Sequence, residues 1–204
     1  MISSMEKYTR VYLVRHGQVV GYNGYHANGH TDVDITEVGR LQMEHLAERL
    51  RLVEISAIYV SDLKRALIGA RIISRHHDVQ LDVMPDLREL FFGDWEGMSL
   101  SKIRKEYPEE LEKREANMAD YRAPGNGESL RDLSTRVMPC LERILADQKG
   151  KGVLVVAHAA VNRVILSNAL GLDIVNSFNL QQDYGCLNII DYFPDSSLVR
   201  MING

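Results

Sequence analysis

VYLVRHGQVVGYN, residues 11–23, begins as an apolar run and stops abruptly at Arg15-His16-Gly17. Val, Leu and Tyr crowded into four positions, with polar residues before them and Gly after, predict a buried strand with Arg and His at its carboxyl end. Open α/β sheets hold their ligands at such ends. A neutral imidazole can attack phosphorus, a guanidinium can clamp phosphate oxygens in a bidentate fork, and Gly permits close approach by substrate or backbone. His16 is therefore a candidate nucleophile and Arg15 a candidate phosphate clamp.

Working outward, Gly21, Asn23, Gly24, Asn28 and Gly29 break the chain too often for a helix, so residues 21–31 read as a loop. His26 and His30 fall in it. Their spacing of four would suit metal ligands on a helix face, but a Gly-rich loop provides no such face, and they read as ligand-contacting or solvated loop residues. Thr36 is placed to cap a helix with Met43, Leu46, Ala47 and Leu50 inward. Residues 57–60 predict a second buried strand, ending in Ser61-Asp62 and followed by a helix with Leu63, Ala66, Leu67, Ala70 and Ile73 inward. Arg65 lies off that stripe in the first turn, close enough to the strand end to reach His16.

Between Pro85 and Gly127 the sequence loses β-branched residues and gains charges and Gly/Pro breaks, so it reads as an excursion from the sheet, with short helices after Ser99 and Pro108. Glu89, among Leu87, Leu90 and Phe91, is placed to hold a proton for a leaving group, or else to pair with Arg88. Trp95 reads as the anchor of the excursion. Ser129 and Asp132 suggest a capping box on a helix containing Pro139, where a kink is expected. Residues 153–157 form the strongest parallel-strand signal and end at His158, followed by a helix whose amides favour an anion and whose C-cap is Gly171. Residues 185–190 and 197–202 look like a terminal antiparallel pair.

The alternation of strands and helices predicts an α/β protein with a mostly parallel central sheet, in one domain over residues 1–204. Composition agrees: 45% of residues are hydrophobic and 25% charged, with no apolar run long enough to span a membrane. The first ten residues lack a signal-peptide core, and Cys140 and Cys186 have no paired-ligand spacing, which points to a reducing cytoplasm. A formal charge of −4 leaves no basic face for nucleic acid, although a local arginine pocket can still hold a small anion.

Taken together, Leu13-Val14-Arg15-His16-Gly17, Thr31-Asp32, Ile35 to Arg40, Ser61 to Ala66, Leu87 to Leu90 with Phe92 to Gly97, Gly127-Glu128-Ser129 and the Val-Ala-His158 strand end resemble the histidine phosphatase, or phosphoglycerate mutase-like, superfamily. The segment around Trp95 and the modest length look most like alpha-ribazole phosphatases and related small-molecule phosphatases. The resemblance implies a three-layer sandwich with the helical excursion, roughly residues 85–127, over the site. It implies that His16 becomes phosphorylated, that Arg15, Arg65 and a cationic His158 hold the phosphoryl group, and that Glu89 donates the proton. It implies no metal and no cofactor. Asn23 corresponds to the family's phosphate-contacting Asn only if one residue is inserted. Val19 replaces a hydroxyl residue, and Ala159-Ala160 replace the frequent Gly-Gly. Hydrolysis of a small phosphomonoester, with alpha-ribazole phosphate one candidate, is the favoured expectation. A cofactor-dependent phosphoglycerate mutase and a non-catalytic phospholigand domain are the alternatives. No membrane or nucleic-acid partner is expected, and a homodimer through an edge strand or helix face stays open.

Overall fold

A computed structural model describes residues 8–23 and 26–204. Its centre is a six-stranded sheet of β1 (Thr9–Arg15), β2 (Ala57–Val60), β3 (Leu81–Val83), β4 (Gly152–Ala157), β5 (Leu187–Tyr192) and β6 (Ser197–Met201), in the order β3-β2-β4-β1-β5-β6. The first four strands are mutually parallel, while β5 runs antiparallel to β1 and β6 antiparallel to β5. β1 and β4 lie side by side with Arg15 opposite Ala157, so the next residues of the two strands, His16 and His158, leave the sheet together.

Side-chain alternation along the strands separates the two helical layers. Val11, Leu13, Val153 and Val155 pack with Leu133, Val137, Leu141 and Ile144 of α5 (Leu130–Asp147) and Val161, Val164 and Ile165 of α6 (Ala159–Leu170). Tyr12, Val14, Leu154 and Val156 face the other way, against Met43, Leu46, Ala47 and Leu50 of α1 (Glu37–Leu50) and Ala66, Ala70 and Ile73 of α2 (Lys64–Ser74). This is the three-layer sandwich. Each fully buried Leu, Ile or Val stabilises it by about 1.5–3 kcal/mol.

The predicted ends hold in most places. Thr36 accepts the Gly39 N–H, Ser129 and Asp132 form the capping box, and Gly171 ends α6 at φ 65°. Among the excursion helices α3 (Leu100–Glu106) starts from Ser99 and α4 (Pro108–Ala116) from Pro108, and Trp95 is buried between Tyr107 and Tyr121. α5 continues through Pro139 as one helix. Two features differ from expectation. β3, a mostly exposed edge strand of three residues, is too short to register as a pattern. Ser61 and Asp62 do not cap α2, whose N-cap is Leu63 with no side-chain bond, because both side chains are committed to other partners.

Candidate active site

At the carboxyl ends of β1 and β4 a cleft of about 320 Å³ opens, walled by Arg15, His16, Arg65, Glu89 and Tyr184 among others. The loop from β1 into α1 is drawn tight there. A Cβ on Gly17 would lie 2.3 Å from the Gly39 carbonyl oxygen, and one on Gly39 would lie 2.3 Å from that of Gln18. The freedom of Gly17 thus serves backbone packing against α1, which brings His16 to a defined position.

His16 is buried, and its Nδ1 lies 2.8 Å from the Gly17 carbonyl oxygen. A carbonyl only accepts, so Nδ1 carries the proton and, in the neutral ring, Nε2 keeps a lone pair. Burial, then the charges of Arg65 and Arg15, push the His16 pKa well below the ordinary histidine value. The ring is therefore neutral at physiological pH and ready as a nucleophile.

The two arginines are deployed differently. Arg65, 1% exposed, donates from Nη1 to the Thr31 carbonyl at 2.8 Å, from Nη2 to Asn28 and Gly29 carbonyls at 2.9 and 2.6 Å, and from Nε to His158 Nδ1 at 3.3 Å. Of the five N–H groups of a guanidinium, four are committed to protein acceptors. Arg15 spends Nη1 on the Gln182 carbonyl at 2.5 Å and stacks 3.8 Å from the centroid of Tyr184, while its Nε is buried without a partner. Arg15 consequently has the free edge suited to a bidentate phosphoryl contact.

His158 is fully buried, its ring 5.0 Å from that of His16. Since Arg65 Nε–H occupies Nδ1, the proton of a neutral His158 is on Nε2, donated to Ser61 Oγ at 2.8 Å. Burial comes first, followed by Arg65, His16 and Arg15, in holding its pKa well below the ordinary value. Two guanidinium groups and a low-dielectric surrounding thus favour the neutral ring, whereas the family resemblance implies a cationic His158 once a phosphoryl group is bound.

Glu89 is the one acidic side chain among the described residues that line the cleft. Both its carboxylate oxygens accept the Ala160 N–H, at 3.2 and 3.3 Å, and Oε1 also accepts the Leu90 N–H. The group that meets the start of α6 is this carboxyl. The expected apolar surrounding is therefore only partial, since Leu87 turns into the core while the Glu89 carboxyl meets backbone amides. Arg88 does not pair with it but forms a two-pronged bond to Asp62, holding that carboxyl below the usual range.

Of the supporting residues, Arg136 carried no sequence signal of its own, and Glu96 and Glu128 lie in quoted motifs that do not reveal their partners. Arg136 of α5 donates to the carbonyls of Asp86, Arg88 and Glu89 and to the Glu128 carboxylate, fixing the segment that bears Glu89. Glu96 collects the N–H groups of His30, Thr31 and Phe92, tying the loop to the excursion. The long-range members of these sets join residues 47 to 66 positions apart, and only the spacing of the motifs around them could have suggested contact. His30 bonds to the Glu89 carbonyl and packs on Phe91, whereas His26 lines the cleft with a buried, unpartnered Nδ1. Asn23 is exposed, beside Gly21 and Tyr22, which do line the cleft. Among the described residues no three His, Cys, Asp or Glu side chains converge as metal ligands.

A sheet whose central strand ends deliver two buried histidines between two arginines defines a phosphoryl-handling α/β protein. The model of the histidine phosphatase superfamily (branch 1) matches residues 11–204, and the chain belongs to that family. It is 37% identical to phosphoglycerate mutase-like protein 4 of Arabidopsis thaliana over 79% of this chain and 71% of the relative. With adenosylcobalamin/alpha-ribazole phosphatase of Escherichia coli (strain K12) it shares 28% identity over 95% of each, and with metal-independent phosphoserine phosphatase of Arabidopsis thaliana 35% over 77% of this chain and 67% of the relative. The solved alpha-ribazole phosphatase of Shigella flexneri superposes with a TM-score of 0.86, at 27% identity and 96% coverage of both chains.

Proposed function

We propose that this protein hydrolyses a small phosphomonoester through a phosphohistidine on His16, without a metal. The observation that carries the reading is the state of His16: Nδ1–H tied to the Gly17 carbonyl, ring neutral, Nε2 unencumbered, and arginines on either side. In the first step Nε2 attacks phosphorus in line, the P–N bond forms, and the P–O bond to the leaving group breaks. Arg15, with its free Nε edge, and Arg65 gather the charge on the equatorial oxygens, and Glu89 supplies the proton that the departing oxygen needs. In the second step the Glu89 carboxylate takes a proton from water, the water oxygen attacks phosphorus, and the P–N bond breaks to release inorganic phosphate and regenerate neutral His16.

His158 orients Arg65 by accepting its Nε–H at Nδ1 while the ring is neutral; an arriving phosphoryl dianion offsets the two guanidinium charges, so the ring can take a proton at Nδ1 and join Arg15 and Arg65 in holding the phosphoryl group. Asn23 would join the phosphate contacts only through a rearrangement of its exposed loop. The names of the relatives supply two substrate candidates, alpha-ribazole phosphate and phosphoserine, and a related name supplies the mutase alternative. A panel of phosphomonoesters assayed in parallel for inorganic phosphate and for isomerised product separates these readings. Release of phosphate in proportion to substrate consumed is expected, and isomer formation without phosphate would replace the phosphatase by the mutase.

A further inference from the structure

β5 and α6 each bury an amide side chain in an otherwise apolar run. Asn188 is enclosed on β5 between Leu187 and Ile190, and Asn162 on α6 between Val161 and Val164. Both meet the side chain of Gln182, itself buried in the stretch between the 3₁₀ turn Ile174–Asn179 and β5. Gln182 and Asn188 exchange two bonds of 2.8 Å, Nε2–H to Oδ1 and Nδ2–H to Oε1, and Asn162 Nδ2 donates to Gln182 Oε1 at 3.1 Å. Asn188 also donates to the Leu13 carbonyl of β1 at 3.1 Å and accepts the Asn203 N–H. Burying an amide is unfavourable unless it is bonded, and a bonded pair can give way to apolar side chains of the same shape with little loss. Stability of the core therefore does not account for the cluster.

What the cluster holds is a piece of backbone beside the site. The Gln182 carbonyl lies outside any helix or strand, so no ladder fixes it, and it accepts Arg15 Nη1 at 2.5 Å. Two residues on, the Tyr184 ring centroid lies 3.8 Å from the Arg15 guanidinium carbon and 5.7 Å from the centroid of His16. Gly185 then gives its N–H to the His16 carbonyl at 3.1 Å, and the Cys186 carbonyl accepts the Arg15 N–H at 3.2 Å. Residues 182–186 thus grip Arg15 and His16 together. Contact on its face fixes the plane of a guanidinium, and a bond at Nη1 fixes its rotation within that plane, which leaves the Nε–Nη2 edge for phosphoryl oxygens.

We propose that Gln182, locked by Asn162 and Asn188, and Tyr184 are positioning residues for Arg15, setting its guanidinium in the phosphoryl-binding pose before substrate arrives. This rests on the phosphatase reading and adds to it the residues that pre-form the clamp. A long arginine side chain loses much rotamer freedom when it is held, and ordering it in the folded protein removes that loss from the binding step. Asn162 extends the arrangement to the second strand end: its N–H bonds to the His158 carbonyl at 2.9 Å, one turn before it on α6. The amide cluster therefore ties the clamp on β1 to the histidine that ends β4.

The test is a double-mutant cycle, read both on kcat/KM for an aryl phosphate and on calorimetric affinity for inorganic phosphate. Gln182→Met keeps the length of the side chain and removes its amide; it should lower kcat/KM by roughly ten- to a hundred-fold, the scale set by small misplacements of a clamp, and weaken phosphate binding. In an Arg15→Ala background the same substitution should change either quantity by less than about two-fold, because no guanidinium is left to position. Tyr184→Leu should follow the same pattern, and Tyr184→Phe, which keeps the ring, should recover most of that loss. The Tyr184 arm decides the matter if Gln182→Met does not fold. Equal losses in both backgrounds, or no loss beside an intact Arg15, would overturn the positioning role. A wild-type protein that hydrolyses no phosphomonoester would overturn the phosphatase reading alone, since the cycle on inorganic phosphate affinity would still decide the positioning.

Discussion

Replacing each arginine of the site by lysine should separate their roles, because the positive charge is retained and the fork is lost. Arg65→Lys forfeits most of a four-bond set directed at Thr31, Asn28, Gly29 and His158. A lysine can keep one such bond, so three are lost, and buried acceptors are left without donors. At about 1–1.5 kcal/mol for each, the variant should be less stable by roughly 3–5 kcal/mol, and poorly active because the loop of residues 28–31 is released. Arg15→Lys loses one protein bond, to Gln182, and the stacking on Tyr184. Its stability cost should be about 1–2 kcal/mol, while kcat/KM falls at least a hundred-fold with the bidentate clamp. Urea unfolding curves with wild-type slope, read beside turnover of an aryl phosphate, provide both quantities. An Arg65→Lys protein within 1 kcal/mol of wild type, or an Arg15→Lys protein less stable than it, would refute this division of labour.

Three further outcomes follow from the site. The folded state holds His16 and His158 below the unfolded value of 6.5 and so binds fewer protons than the unfolded chain; their stabilisation is complete above about pH 6.5 and is lost as pH falls below it, by up to about 1.4 kcal/mol per pH unit for each ring. Urea titrations between pH 5 and 8 should show this slope, and His16→Ala should halve it. Glu89→Gln should slow alkyl phosphate turnover by about a hundred-fold to ten-thousand-fold, whereas an activated aryl phosphate should give a burst of phenol and then a slow steady state; small, equal losses without a burst would remove Glu89 from the chemistry. Chelators should leave hydrolysis unchanged, and activity lost to a chelator and restored by a divalent ion would require a metal in the mechanism.

Much of this arrangement was legible in the chain because its governing rules are local. The runs at residues 11–15 and 153–157 are apolar enough to be buried on both faces, and each ends in the histidine that the sheet then sets beside the other. The caps at Thr36, Ser99 and Ser129 are likewise short-range chemistry. What was hidden depends on contacts between distant segments. Ser61 looks like a helix cap in isolation, yet its hydroxyl meets His158 across 97 positions. Arg65 looks like a phosphate ligand, and only the fold shows that most of its donors face backbone carbonyls. Glu89 appears to sit among apolar residues in sequence, but the start of α6 supplies it with an amide. The charge state of His158 is not legible for the same reason: Arg65, His16 and Arg15, which bear on it, are not its neighbours in the chain.

The central claim is that His16 is the group phosphorylated during turnover. Wild-type protein mixed with a phosphorus-32-labelled aryl phosphate and quenched within milliseconds in alkali should yield one base-stable, acid-labile phosphoryl group, mapped by mass spectrometry to the peptide bearing His16. No label should be trapped on His16→Ala, which should also be inactive. Full turnover by His16→Ala, or label recovered on another residue of the active wild-type protein, would contradict the account.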